Sequence, residues 1–279
     1  MTTVGEPRAQ SALSGLISRV LVALIGLPVL LGAVWVGGWW LFALVALAAV
    51  VAVHEYVTMS RPLRPLAPAA YIGTVLALVG AEKGGVVWML AGFLTCFVVG
   101  FALNAVSTTR APATAAVGST VMGAAWIGLG LGHLILLREM HDQPRLIAFT
   151  VLLTVFAADT FAYFGGRLLG RHKLAPTLSP GKTWEGFVVG SIVGIFVSFV
   201  ALYQDRGHYL VIWQAVVLGL VVVLSAAAGD LFESMLKRDM QVKDTGSLLG
   251  GHGGVLDRVD ALLFASAAAF YLVLGFNYT

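Results

Sequence analysis

Charge is scarce in this chain. Only 11% of its 279 residues are Asp, Glu, Lys or Arg, less than half of the roughly 25% usual in soluble domains. With 59% hydrophobic residues and a mean hydropathy of +0.91, that deficit argues against a soluble domain and for a bilayer-embedded one. Cysteine is nearly missing as well. Cys96 alone permits neither an intrachain disulfide nor a cysteine metal cluster, and its place in the apolar run GVVWMLAGFLTCFVVGFAL makes it a packing residue. A net charge of +3 is too small to indicate a nucleic-acid partner. Heptad arrays and low-complexity tracts are absent.

What the chain has is long apolar runs. The pattern predicts an all-α polytopic integral membrane protein with about nine transmembrane helices, at 18–36, 39–58, 69–81, 85–103, 116–137, 146–164, 186–203, 209–228 and 261–276. Most approach the ~20 residues that cross a bilayer at 1.5 Å per residue. Span 69–81 is short and fits a broken or re-entrant helix covered by protein. The run after Arg19 imitates a signal peptide, but apolar spans continue along the chain, so it is read as a span. With the N-terminus inside, thirteen Lys/Arg fall on one side and four (Lys83, Arg138, Arg145 and Arg206) on the other. Positive charge marks the cytoplasmic side. The two longest polar connections, 165–185 and 229–260, are therefore expected on the cytoplasmic face of the cytoplasmic membrane. Residues 1–137 are expected to form a membrane region without catalytic motifs, and 138–279 a catalytic membrane region. Gly186, Gly190 and Gly194, four apart, fit close helix packing.

The sparse charge is concentrated. Residues 229–260, GDLFESMLKRDMQVKDTGSLLGGHGGVLDRVD, hold six carboxylates, four Lys/Arg, one histidine and six glycines. Charge beside a membrane is costly and usually marks a site. If the helix before it continues, Asp230, Glu233, Ser234 and Lys237 share one face. Asp257 and Asp260, three apart, share a face at the start of the next span. Carboxylates from adjacent helices suit a hard, oxygen-loving cation, Mg²⁺ over zinc. The plainer reading is that Asp257 and Asp260 only cap a helix N-terminus. Gly250 to Gly254 give a backbone able to approach a ligand, and His252 is a candidate phosphate contact.

The other charged segment is FAADTFAYFGGRLLGRHKLAPTLSPGKTWEG, residues 156–186. Gly181, Lys182 and Thr183 tempt a Walker A reading, but the glycine required five positions before Gly181 is Pro176, so no P-loop is expected. Lys182, with Arg167, Arg171 and Lys173, suits a polyphosphate; the alternative for each is anionic lipid. Asp159 lies within an apolar span, where a carboxylate costs roughly 2.5–3.5 kcal/mol at mid-bilayer, so it is expected to face the bundle interior. His54-Glu55 lacks the second histidine of a zinc protease, because position 58 is Thr58; Glu55 is left as a buried polar partner.

The run from Ser234 to Asp260, with its S-x-x-K-R, K-D-x-G, H-G-G and D-R-x-D elements, resembles the signature of the phosphatidate cytidylyltransferases, also called CDP-diacylglycerol synthases. D-T-F-A-Y-F-G-G-R and S-P-G-K-T-W-E-G resemble the second block of that family. The resemblance covers residues 159 to 260. It implies that CTP and phosphatidic acid give CDP-diacylglycerol and pyrophosphate with Mg²⁺, without a protein nucleophile, and with a second cation nearby. It implies metal binding at Asp230 and Asp257, with Asp260 as third ligand or supporting partner. Lys237, Arg238, Lys243, Arg258 and Lys182 become the expected phosphate contacts. Asp159, Arg167, Lys173, Ser179, Ser234, Asp244, His252, Gly253 and Gly254 are the remaining expected substrate-binding positions. Family members are expected to form homodimers. Two other readings stay open from the residues: a CTP-dependent lipid kinase, which would release CDP, and an ion-coupled transporter using Asp159 and Asp230. Against transport, the polar residues gather at one face and not at the midplane.

Overall fold

The structure, a computed structural model, describes residues 26–106, 112–140, 143–203, 210–246 and 253–277. It is nearly all helix. In chain order these are α1 (Gly26–Val36), α2 (Gly38–Met59), α3 (Ala67–Val106), α4 (Ala113–Gly123), α5 (Gly130–Arg138), α6 (Pro144–Leu169), α7 (Trp184–Tyr203), α8 (Ile212–Asp239) and α9 (Leu256–Asn277). A π-helical turn, Ala124–Leu129, joins α4 to α5 without a break. Among the described residues, seven helical stretches are long and apolar enough to cross a membrane. The protein is an integral membrane protein.

The forty-residue α3 is two helices in one. Gly85, at φ 71° and ψ −158°, breaks it in a conformation open to glycine. The two arms then run back along each other. A Cβ on Gly73 would meet Cys96, one on Gly80 the Trp88 carbonyl, and one on Gly92 the Leu76 carbonyl. Contacts between such distant positions are impossible along a straight helix rising 1.5 Å per residue. The first arm is thus a full helix from Ala67 to the turn, where the sequence pattern suggested a short or re-entrant piece. Cys96 is wholly buried against Gly73 at this seam.

The apolar runs did not fix where two other helices end. The apolar run 209–228 stops where its hydrophobicity stops, yet α8 continues to Asp239. Likewise α9 begins at Leu256, five residues before the apolar run 261–276. These polar extensions are helical because protein faces them, not lipid. A short antiparallel β-hairpin, β1 (Lys173–Ala175) and β2 (Ser179–Thr183), joins α6 to α7, pairing Lys173 with Thr183 and Ala175 with Ser179. It is the only sheet among the described residues and a small departure from all-α.

Helix packing sets the frame. Gly186 and Gly190 of α7 sit on α6, where added Cβ atoms would meet the carbonyls of Ala162 and Ala158, both at 2.5 Å. Gly194 faces Val223 of α8. These small residues let the backbones approach closely, and α6, α7 and α8 form one sheaf with α9. The bundle's two ends differ. At one end the Arg138 Nε donates to the Val34 carbonyl at 2.7 Å, closing the C-terminus of α1. Lys83 lies 4.0 Å over the Trp39 ring and Arg145 5.4 Å from that of Trp35. Glu55, the hairpin and the start of α9 lie at the other end; α2, with 22 residues, separates the ends by roughly 30 Å.

Candidate active site

The site is built where α6, α7, α8 and α9 meet the hairpin. α8 brings Asp230, Glu233 and Lys237 to one face, because positions three, four and seven apart align on a helix. α9 contributes Asp257 and Asp260 from its first turns. β2 carries Lys182 to α8, where it forms an ion pair with Asp230. The hairpin is held in place by the first turn of α7. Glu185 accepts from the Arg171 N–H at 3.0 Å and the His172 N–H at 3.2 Å, and contacts His172 Nδ1 at 2.6 Å. Thr183 Oγ1 accepts from the Gly186 N–H at 3.1 Å, a helix cap. Arg238 Nε donates to the Leu178 carbonyl at 3.2 Å, tying the hairpin tip to α8.

These elements enclose a cavity of about 820 Å³, within the range that holds small ligands. Asp159, Arg167, Ser179, Lys182, Asp230, Lys237, Asp244, Asp257, Arg258 and Asp260 all line it, so the structure brings together most residues singled out in the sequence. Phe156, Phe187, Val223 and Ala226 supply an apolar wall. Arg167 Nη1 donates to the Tyr163 hydroxyl at 2.9 Å.

Two acidic groups share the cavity. In the first, Asp230, Glu233 and Asp260 each offer an oxygen, all within 4.8 Å of one another. Glu233 is 1% exposed, and its Oε1 has no donor on it. An all-oxygen donor set with a buried, unsatisfied carboxylate oxygen fits a divalent cation. In the second, Asp257 is already engaged. Lys237 Nζ donates to its Oδ1 at 2.9 Å, and the Thr245 and Gly254 N–H groups donate to its Oδ2 at 3.1 and 2.6 Å. Lys237 Nζ also donates to Glu233 Oε2 at 2.8 Å and so links the two groups. Asp257 thus stands in the first turn of its own helix but is held by amides outside it, from Thr245 and Gly254, while Asp260 faces the other carboxylates.

Some expected positions lie elsewhere. Lys173 is exposed on β1, Lys243 and Arg238 are exposed, and Ser234 is buried beside Glu233; none of the four lines the cavity. Gly253 and Gly254 back the Asp257 carboxylate, and Gly253 has φ +75°. His252 lies outside the described residues. Two acids were passed over as site residues. Glu233 had its signal in the spacing from Asp230 to Lys237. Glu55 had no local signal, since its partners are Val255 and Leu256.

The model of one family, the cytidylyltransferase family, matches residues 17–276. The chain belongs to the cytidylyltransferase family. It is therefore a nucleotidyltransferase, a membrane enzyme with nucleotide and lipid substrates. A phosphatidate cytidylyltransferase of Mycobacterium tuberculosis is 33% identical to it over 96% of this chain and 86% of its own length. One from Staphylococcus haemolyticus is 32% identical over 88% of this chain and 94% of its own. One from Synechocystis is 32% identical over 92% and 96%. A cavity that pairs charged groups with an apolar wall suits a cytidylyltransferase that must hold a nucleotide beside a lipid.

Proposed function

We propose that this cytidylyltransferase transfers the cytidylyl group of CTP to phosphatidate. A phosphatidate oxygen attacks the α-phosphorus of CTP in line. The new P–O bond forms as the bond to the β-phosphate breaks, giving CDP-diacylglycerol and pyrophosphate. The observation that carries this reading is a cavity in which Lys182, Arg167, Lys237 and Arg258 stand together with a carboxylate cluster and an apolar wall. Basic groups bind and orient the phosphates, since such transfer depends mainly on positioning and charge stabilisation. Asp230, Glu233 and Asp260 would hold Mg²⁺, with Asp257 beside them. Held there, such an ion would supply positive charge beside the phosphate oxygens. Lys237, held by Glu233 and Asp257, keeps a fixed ammonium at the edge of the cluster. Phe156, Phe187 and Val223 exclude water and receive the lipid part of phosphatidate. The active site faces the cytoplasm, which is supported by thirteen of seventeen Lys/Arg falling on that side of the predicted topology; both substrates are present there.

The test is pyrophosphate release by the purified protein in detergent micelles with CTP, phosphatidate and Mg²⁺. Release that needs all three, matched by CDP-diacylglycerol, is expected. Release of CDP in place of pyrophosphate would make the protein a lipid kinase, and no turnover by folded protein would sink the proposal.

A further inference from the structure

Glu55 lies in α2, two hundred residues from the polar stretch, and is 5% exposed. Its Oε1 accepts from the Val255 N–H at 3.0 Å and its Oε2 from the Leu256 N–H at 2.8 Å. These are the amides directly before Asp257. The amide before them, Gly254 N–H, donates to Asp257 itself. The first N–H groups of a helix have no partner within it; here those of Val255 and Leu256 go to Glu55, and the Gly254 N–H just before the helix goes to Asp257. The backbone closes on Glu55 from two sides. A Cβ on Gly246 would meet its Oε1 at 2.6 Å, and one on Gly254 would meet its carboxyl carbon at 2.5 Å. Thr245, between these contacts, donates its N–H to Asp257. Glu55 thus stands behind both stretches of chain that hold Asp257.

We propose that Glu55 is a positioning residue for the transfer reaction, an inference that rests on the function proposed above. It touches no substrate. By holding Val255 and Leu256 it fixes the rotation of the first turn of α9, and with it the directions of Asp257 and Asp260. A glutamine there would set its amide group against one of the two backbone N–H donors, so that turn would shift or twist.

The experiment compares Glu55→Gln and Glu55→Asp with Tyr56→Phe, each purified in detergent. Tyr56 is the structural comparator: its hydroxyl donates to the Ser119 carbonyl at 2.8 Å, away from α9. Amide hydrogen exchange is followed over 253–260, and kcat and KM for CTP are measured separately. Glu55→Gln is expected to speed exchange at Val255 and Leu256. It should lower kcat about ten- to a hundredfold, as losses of supporting partners around a metal site typically do, with KM for CTP nearly unchanged. Tyr56→Phe should lower thermal stability and move neither readout. If Glu55→Gln does not fold, Glu55→Asp, which keeps both acceptors on a shorter stem, should show a smaller change in the same direction. A folded Glu55 variant with wild-type kcat overturns the proposal, as does an equal loss of kcat in Tyr56→Phe. A wild-type protein that does not turn over CTP with phosphatidate defeats the proposed function instead. Exchange then still decides whether Glu55 holds α9, and unchanged rates at Val255 and Leu256 overturn that as well.

Discussion

Replacing Lys237 by methionine should strand Glu233. The Lys237 side chain is 15% exposed and lies between Glu233, 1% exposed, and Asp257, 8% exposed. Asp257 keeps two backbone donors after the change, from Thr245 and Gly254. Glu233 keeps no backbone or cationic donor, because its Oε2 would lose the ammonium, and only the Asp260 carboxyl would remain beside it. Removing one partner of a buried pair costs about 3–5 kcal/mol. With one of the two carboxylates still satisfied, the lower end applies, about 3 kcal/mol. The assay is reversible unfolding in mixed micelles, followed by circular dichroism in a chelating buffer so that no divalent ion replaces the ammonium. Glu233→Gln removes the stranded charge, so in the Lys237→Met background it should recover about 2 kcal/mol, within the coupling seen for residues in contact. A cycle in which the two losses simply add would refute the reasoning. So would a loss below about 1 kcal/mol for Lys237→Met, the range of an exposed pair.

Lys182→Ala should separate function from stability: its pair with Asp230 is 27% and 33% exposed, worth less than about 1 kcal/mol to the fold. Loss of a charged phosphate contact, about 1.5–3 kcal/mol, should cut CTP turnover roughly ten- to a hundredfold; a large drop in melting temperature with unchanged turnover would reverse the assignment. Gly190→Val should lower the melting temperature, since its Cβ would meet the Ala158 carbonyl at 2.5 Å and overpacking costs about 1–3 kcal/mol; an unchanged melt would contradict the α6–α7 contact. Asp260→Asn and Glu233→Gln should each weaken Mn²⁺ binding to nucleotide-free protein, read by electron paramagnetic resonance, by at least about tenfold through lost ligand charge. Unaltered binding would remove the carboxylate trio from that role.

The sequence made the membrane class legible because apolar runs report lipid contact directly. It said less where polar residues face protein. α8 passes beyond its apolar run because Asp230, Glu233 and Lys237 point into a cavity, and hydropathy cannot distinguish that from a loop. The helical spacing put Glu233 and Ser234 on the same face as Asp230, but only packing decides that Glu233 joins the carboxylates while Ser234 is buried beside them. The hairpin was hidden for another reason. Its strands are three and five residues long, too short for alternation to register, and Glu185 and Arg238 fix it through contacts distant in sequence.

The motifs divide the chain near residue 137, but the packing crosses that division. Phe232, between Asp230 and Glu233, points away from the cavity, with its ring 5.1 Å from that of Trp126 on the π-helical turn. Trp126 in turn lies 6.4 Å from Tyr56, next to Glu55. Phe264 of α9 closes on Phe232 from the other side at 5.5 Å. Gly130 of α5 leaves room for Leu263 of α9, whose Cβ stands 2.8 Å from where its own would be. One face of α8 therefore carries the charged cluster, while Phe232 beside it is wedged between Trp126 from the first half and Phe264 of α9. A π-turn advances the helix by an extra residue and changes which side chains it presents; here it is the turn that presents Trp126 to α8. The first half of the chain, without catalytic motifs of its own, reaches the site by two routes, Glu55 on the backbone of α9 and Trp126 on Phe232 of α8. Both routes end within two residues of an acid that faces the cavity.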